Sequence, residues 1–472
     1  MAADEFKLID EQVGLFGAVA LLVGMSLGMS IFIVPTQMAV AAGPSITTAI
    51  LLAIVPMVFG VLLLLQLGGS IPFAGGIYVY ASRLVGPFWG LLGVTIPVVA
   101  IWSYLLFAAL GFAEYVAFFA DVPTLAPVWL LLGAFLAINY FGIRIATQVQ
   151  LALVAVLVAG MVTFILFGVA DTNTANYTPV FPEELFAGGY APFFIAVVTL
   201  YIPFQGFGMI IEIGEELENP VENIPKVLGI GMTIVAVLSL GIVFALVGAV
   251  PWDSPVIGEA AEAGGLATVA TTFAPGWAAA FIAVTALIAA ATTVNTLFTS
   301  YSRTVMRAAR DDVVPGTFAA VHDEHRTPYR AIFLLGAPPI LLAPLAIYLD
   351  GIVAVAAVDW LIVIVVAGTL IAFAIGGVAL WNLPKTFPQR YEYSVYKLPM
   401  PVLRIVAVGN VVVSLAFMVL VVAGMPSAFA TLVGTLGLAY LGYRYRIHRY
   451  ADEGIDLKER MSLLHKHERI DD

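Results

Sequence analysis

Gly24-Met25-Ser26-Leu27-Gly28-Met29-Ser30 lies inside a run, Gln12 to Ser82, that contains no charged residue. A second cluster, Pro203-Phe204-Gln205-Gly206-Phe207-Gly208, interrupts the sixth apolar span of the chain at a similar depth. Broken helix in lipid leaves N–H and C=O groups unpaired, which is tolerated only beside a polar ligand or a water-filled cavity. Small residues also serve close helix packing, but two matched clusters five spans apart argue for more than packing. Discontinuous helices at corresponding places in two halves are the sequence pointer to a transport site built from inverted repeats.

Composition supports the membrane setting. Of 472 residues 61% are hydrophobic and 11% charged, and the mean hydropathy is +1.02. Soluble domains carry about 45–50% apolar and about 25% charged residues. This balance excludes a soluble enzyme, a nucleic-acid binder and a disordered tail protein. Further charge-free windows follow at 84–113, 122–143, 145–170, 185–211, 227–252, 263–302, 331–349, 360–384 and 405–443. The first and last runs each hold two helices, parted near Ala42-Gly43-Pro44 and at Gly424-Met425-Pro426. Spans of about 20 residues then number about twelve. Barrel strands would alternate apolar and polar positions over about ten residues, and these runs do not, so the expected fold is an all-α integral membrane protein. No Gly/Ser or polyproline linker divides it, which makes one domain.

Charge orients the spans. With twelve crossings, the odd-to-even loops hold Asp121, Asp171, Glu183, Glu184, Asp253, Glu259, Glu262 and Asp350 and no Lys or Arg. All twenty basic residues fall in the termini and the other loops. Basic loops stay inside, so both termini are expected in the cytoplasm and the protein in the cytoplasmic membrane. The acidic start lacks the basic region of a cleaved signal peptide, so the first span is expected to persist in the mature protein. There is no cysteine, and the five histidines all lie in polar segments from His322 to His467, which leaves no thiol chemistry and no histidine-based constellation inside the spans. Gly214-Glu215-Glu216 to Pro220 reads as a helix end and loop with solvated charges.

Four ordered motifs carry a family resemblance. Gly24-Met-Ser-Leu-Gly28-Met-Ser30-Ile-Phe32-Ile-Val-Pro35 resembles the first-helix signature of the amino acid–polyamine–organocation (APC) superfamily, with Ser30 where a third glycine is usual. Pro72-Phe-Ala74-Gly75-Gly76-Ile-Tyr78-Val-Tyr80 with Gly86-Pro87 is similar to its second-to-third-helix segment. Phe204-Gln-Gly206-Phe207-Gly208, then Glu215-Glu216-Leu-Glu-Asn219-Pro220 and Ile224-Pro225, is similar to its sixth helix and following loop. Ser302-Arg303 with Ala309-Arg310-Asp311 and Pro315 is similar to the end of its eighth helix. The resemblance implies a five-plus-five inverted repeat of the leucine-transporter fold. The repeats would cover 14–170 and 188–381, with two further helices over 399–447 and a cytoplasmic tail over 448–472.

An amino acid offers a carboxylate and an ammonium. A half-helix starting after the first break would turn the N–H groups of Gly28, Met29 and Ser30 to the carboxylate. Carbonyls near Ser26, Ile202 and Gln205 would face the ammonium. Gly206 and Gly208 allow the close approach, and Phe204 and Phe207 are candidate walls or lids. Acids inside or at the edges of spans are costly and functional by default: Glu114 and Asp359 toward the outer ends of the third and tenth spans, and Glu212 one turn beyond Gly208. Glu212 would carry a proton or select a cationic side chain. By resemblance to sodium-coupled relatives, carbonyls of Gly24, Leu27 and Ala289 and the hydroxyls of Thr292 and Thr293 form a candidate sodium site, since oxygen ligands suit a hard cation. Proton-coupled relatives place a lysine of the fifth helix there, and Leu157 falls at about that position. The coupling ion is thus sodium or a proton, unless the carrier exchanges substrates. No G-x-x-x-x-G-K-[ST] motif occurs, so no nucleotide partner is expected; a channel would need a polar pore lining. The expected protein is not an enzyme but a carrier of amino acids or related amines, in contact with lipid and with no nucleic acid.

Overall fold

The computed structural model describes residues 13–182, 191–350, 357–424, 426–454 and 456–462. The expectations for residues 1–12, for Glu183 and Glu184, for the tail beyond 462 and for the side chains of Asp350 and Asp359 lie outside the described residues. Among the described residues the chain is helical, with one isolated backbone pairing between Val13 and Leu217. Nine described segments are long and apolar enough to cross a membrane. The first of them, Leu15–Ser70, has 56 residues, length enough for two crossings. This is a multi-span membrane protein.

The first break falls where the glycines place it. Helix α1 (Leu15–Ser26) stops as Leu27 leaves helical geometry (φ −85°, ψ 26°), and α2 (Ser30–Ala42) restarts three residues later. Helix α3 (Ile46–Ser70) leads through a loop to short α4 (Gly76–Tyr80), then α5 (Pro87–Ala117), α6 (Leu125–Tyr140) and α7 (Ile143–Ala170). Pro87 opens α5, where its missing N–H costs nothing. After α8 (Ala191–Thr199) residues Ile202–Ile211 wind as a 3-10 turn. Helices α9 (Pro220–Ala249), α10 (Pro255–Glu262), α11 (Gly265–Phe273), α12 (Gly276–Arg310), α13 (Tyr329–Asp350) and α14 (Ala357–Thr386) follow. Short α15 (Pro388–Glu392), then α16 (Met400–Gly424), α17 (Pro426–Asp452) and α18 (Leu457–Ser462) complete the chain.

Helix α1 packs against α7, α9, α12 and the 202–211 turn, while α5 lies against α12 and α14. The two interrupted segments are thereby central. Helix α16, at the periphery, exposes Ile405, Val408, Val412, Leu415 and Val419, a stripe at helical spacing that suits lipid and not water. Helix α12 runs beyond its charge-free window to Arg310, and Arg303 and Arg307 are buried within it.

Candidate functional site

The two interruptions touch. A methyl built on Gly206 would meet the Ser26 backbone, N at 2.5 Å and Cα at 2.7 Å, so only a residue without Cβ lets the turn lie against the end of α1. The sequence anticipates a break followed by an inner half-helix; the structure has a ten-residue 3-10 turn instead. Such a turn is long for this geometry. Pro203, which cannot donate, and the contact at Gly206 hold it against α1. A 3-10 ladder pairs each carbonyl three residues on, so the carbonyls of Ile202 and Gln205 are less free than a true break would leave them. On the α2 side, Met29 N–H is not free either: it donates to Thr293 Oγ1 at 3.4 Å.

The unmet polar capacity resides in side chains. Ser26 Oγ, Ser30 Oγ, Tyr104 Oη and both amide atoms of Gln205 are buried with no hydrogen-bond partner among the described residues. Tyr104 and Ser30 face one another without an aligned hydrogen bond. Orphaned buried polar groups cost about 1–3 kcal/mol each, a penalty that a polar ligand or ordered water removes. Beside them lies a cavity of about 70 Å³ whose lining includes Met25, Tyr104, Gln205, Gly208, Glu212 and Tyr301. Ile77, Ile101, Leu297, Val365 and Phe373 make much of the rest of its wall.

Of the residues singled out from sequence, Gln205, Gly208 and Glu212 line this cavity; Ser26, Gly28, Met29, Ser30, Ile202 and Gly206 lie behind it along the break. Phe204 and Phe207 are fully buried and do not line it. Phe207 stacks on Phe373 (5.1 Å, 28°), and Phe373 supplies the aromatic wall in its place. Glu114 is exposed near the far end of α5, away from the cavity. Tyr104, Tyr301 and Thr369 are lining residues that sequence reasoning passed over; their only signal is a hydroxyl within an apolar span.

Glu212 is 1% exposed. The Thr304 hydroxyl and the Ile77 N–H donate to its carboxylate, and Gly76 brings the α4 backbone against it. Among the described residues no Lys or Arg forms an ion pair with it, although α12 carries buried bases beside Thr304 and one turn beyond it, Arg303 and Arg307. Those bases are engaged elsewhere. Arg303 grips Glu216 through Nε (2.8 Å) and Nη2 (2.9 Å), with both side chains 1% exposed. Glu216 is therefore an interior ion-pair partner and not a solvated loop charge, because α12 extends far enough to bring Arg303 to it. Arg83 and the Tyr78 hydroxyl both reach Asp311 Oδ2 at 2.6 Å. Burial opposes the Arg83 charge, and Asp311 with Tyr78 more than offsets it, holding its pKa above that of a free guanidinium. Both pairs are tied to α12 and its C-terminal end, through Arg303 and Asp311.

On the opposite side of α1, four of the five proposed sodium-site residues come together. Thr292 Oγ1 donates to Gly24 O (3.0 Å) and Ala289 O (2.8 Å), and Thr293 Oγ1 to Ala289 O (3.0 Å). Leu27 is buried at the break. From α7, Gln150 and Val154 reach Gly24: a methyl on Gly24 would collide with Gln150 Nε2 and Val154 Cγ2. The orientation of Gln150 is fixed by a relay. Asn295 Nδ2 donates to Ala146 O and to Gln150 Oε1, both at 2.9 Å. Ala146 O can only accept, so the amide nitrogen of Asn295 points to Gln150 Oε1 and Gln150 must turn its N–H groups toward α1.

A family profile described as amino acid permease matches residues 13–439, and the chain belongs to that family. Among its relatives is the branched-chain amino acid permease BcaP of Bacillus subtilis, 24% identical over 81% of this chain and 83% of the relative. The methylthioribose transporter of Bacillus subtilis is 25% identical over 86% of this chain and 88% of its own length. BcaP of Lactococcus lactis is 28% identical over 80% and 83%. The chain is a transporter and not an enzyme.

Proposed function

We propose that this permease is a secondary carrier of the cytoplasmic membrane that moves small amino acids or related amines by alternating access. One observation carries the proposal: the unpartnered buried groups of Ser26, Ser30, Tyr104 and Gln205 meet beside a cavity where two interrupted segments touch. The start of α2 receives the substrate carboxylate and the Ser26–Gln205 side the ammonium. A cavity of about 70 Å³ offers roughly five or six water-sized positions, which suits a small amino acid. Its aliphatic wall supports a neutral side chain, as do the relatives named for branched-chain amino acids. A second substrate reading, a cationic side chain or polyamine, rests on Glu212 in the cavity wall, with Glu114 and Asp359 as further acids toward the outer ends of their spans in the sequence.

In this proposal twelve spans cross the bilayer, with Leu15–Ser70 counted as two and α6 and α17 completing the number. Repeats over 14–170 and 188–381 are followed by 399–447 and the 448–472 tail, and both termini are cytoplasmic, as the placement of bases favours. The Arg303–Glu216 and Arg83–Asp311 pairs then form the closed cytoplasmic gate. Sodium is the coupling ion held by the carbonyls of Gly24, Leu27 and Ala289 and the hydroxyls of Thr292 and Thr293; bound there it would tie α1 to α12. One observation favours an exchanger that needs no ion: Gln150 presents N–H groups, not an oxygen, beside Gly24.

Uptake into proteoliposomes tests both levels. A carrier saturates and shows counterflow; flux that does neither overturns it in favour of a channel. An imposed sodium gradient at clamped pH then separates the rest. Sodium stimulation supports coupling, stimulation by a proton gradient alone moves the coupling to Glu212, and indifference to both leaves exchange.

A further inference from the structure

A groove larger than the central cavity stands apart from it. It lies on the outside, between the start of α5 and the last turns of α17, with a volume of about 910 Å³. Its α17 wall is one stripe at helical spacing: Val433, Gly437, Tyr440, Arg444 and His448. Phe88 and Leu92 face it from α5, and Lys458 from α18 closes one end.

Polarity along this groove is divided. Val433, Leu436 and Leu92 occupy the membrane side, and Arg444, His448 and Lys458 the other end, with no acid in the lining. In a chain of net charge −11 that is an unusual local balance. Neighbouring bases are already engaged: Arg446 donates to the Asp312 carbonyl (3.0 and 2.8 Å), Arg449 pairs with Glu453 (3.8 Å), and Arg460 binds Asp312. The nearby Asp456 carboxylate caps α18, accepting from the Lys458 and Glu459 N–H groups at 2.9 and 3.3 Å. Among the described residues, the side chains of Arg444, His448 and Lys458 have no ion-pair partner. Phe88 packs edge-on against Trp89 (5.6 Å) and Tyr440 (5.9 Å), all three partly exposed. Such aromatic groups sit at headgroup depth, which sets the three bases level with lipid phosphates.

We propose that this groove is a binding site for an anionic phospholipid, with its phosphate held by Arg444, His448 and Lys458 and an acyl chain lying along Leu92, Val433 and Leu436. The lipid bridges α5, which walls the central cavity, to α17 and α18. Snorkelling bases alone would each reach water separately; here three converge on one concavity with an apolar floor. The inference rests on the chain spanning a membrane and not on its substrate or coupling.

The test uses the full-length protein, purified and stripped of lipid, with melting followed as phosphatidylglycerol, phosphatidylcholine of the same chains, or inorganic phosphate is added. The expected result is stabilisation by phosphatidylglycerol alone, with one lipid retained per protein in native mass spectrometry. A Lys or Arg near a membrane surface is worth about a fivefold change in binding, so Arg444→Gln/Lys458→Gln should weaken phosphatidylglycerol about 25-fold, and His448→Gln added to them should weaken it further by removing a ring N–H donor, while the lipid-free melting temperature is kept. The single substitutions Arg444→Gln and Lys458→Gln, at about fivefold each, keep the test open if the combined variants fail to fold. Equal stabilisation by phosphatidylcholine, or an unchanged phosphatidylglycerol effect in the variants, overturns headgroup recognition. Stabilisation by phosphate alone would make this a soluble-anion site, and removal of residues 463–472 creating the lipid effect would make the tail the native occupant; either result overturns the lipid assignment.

Discussion

Gly206→Ala is expected to disable the carrier, and two companion glycines calibrate the claim. The added methyl would lie 2.5 Å from Ser26 N and 2.7 Å from Ser26 Cα, both nearer than real Cβ contacts, and backbone atoms cannot rotate aside. The 202–211 turn must therefore shift away from α1. Overpacking of this kind costs about 1–3 kcal/mol, or about 5- to 150-fold in substrate affinity if the cost falls on the bound arrangement. Gly208→Ala meets only Tyr301 Oη at 3.9 Å and Phe373 Cζ at 4.0 Å. It should fold normally but take up roughly one water-sized position of the cavity, weakening leucine-sized ligands more than alanine. Gly229→Ala, in α9 with nothing within 4 Å, should leave binding unchanged and stabilise by about 0.5–1 kcal/mol. Ligand-induced melting shifts and equilibrium binding on the three purified variants measure the series. Native-like affinity in Gly206→Ala, or an equal loss in all three, would refute the contact argument.

Three further outcomes follow from the same geometry. Glu212→Gln should weaken arginine or putrescine binding more than alanine binding if the carboxylate selects charge; equal loss for every ligand in a binding assay would assign it to gating or proton transfer. Thr292→Val/Thr293→Val should abolish sodium stimulation of uptake, and full sodium dependence in that variant would defeat the sodium site. Arg303→Met should destabilise by about 3–5 kcal/mol, because it strands Glu216 in the interior, whereas Arg303→Met/Glu216→Leu should recover most of that loss; no recovery in thermal or denaturant melting would mean that the bidentate pair is not the source of the cost.

What was legible in the sequence followed from chemistry that acts over a few residues. Glycine and serine at 24–30 stop a helix wherever the chain goes, and α1 and α2 part there. Pro203 and Gly206 likewise announce an interruption, but what replaces the helix is decided by Ser26, more than 170 positions away, against which only a tight 3-10 turn fits. The cavity wall was hidden for the same reason: Tyr104, Tyr301 and Phe373 look like any aromatic in an apolar span until α5, α12 and α14 are brought together. Glu216 was misjudged because a two-acid run after a glycine resembles a solvated helix end, and its partner Arg303 lies 87 positions on. The relay from Asn139 through Asn295 to Gln150 had a usable signal: each is a carboxamide within an apolar stretch, and an amide placed in lipid must find a partner or a role. Pairing those three would have directed attention to Gln150 beside Gly24. That position matters to function, since Gln150 Nε2 is buried beside Gly24 with no hydrogen-bond partner among the described residues, and the sodium experiment tests whether the α1–α12 junction takes a cation next to that neutral donor.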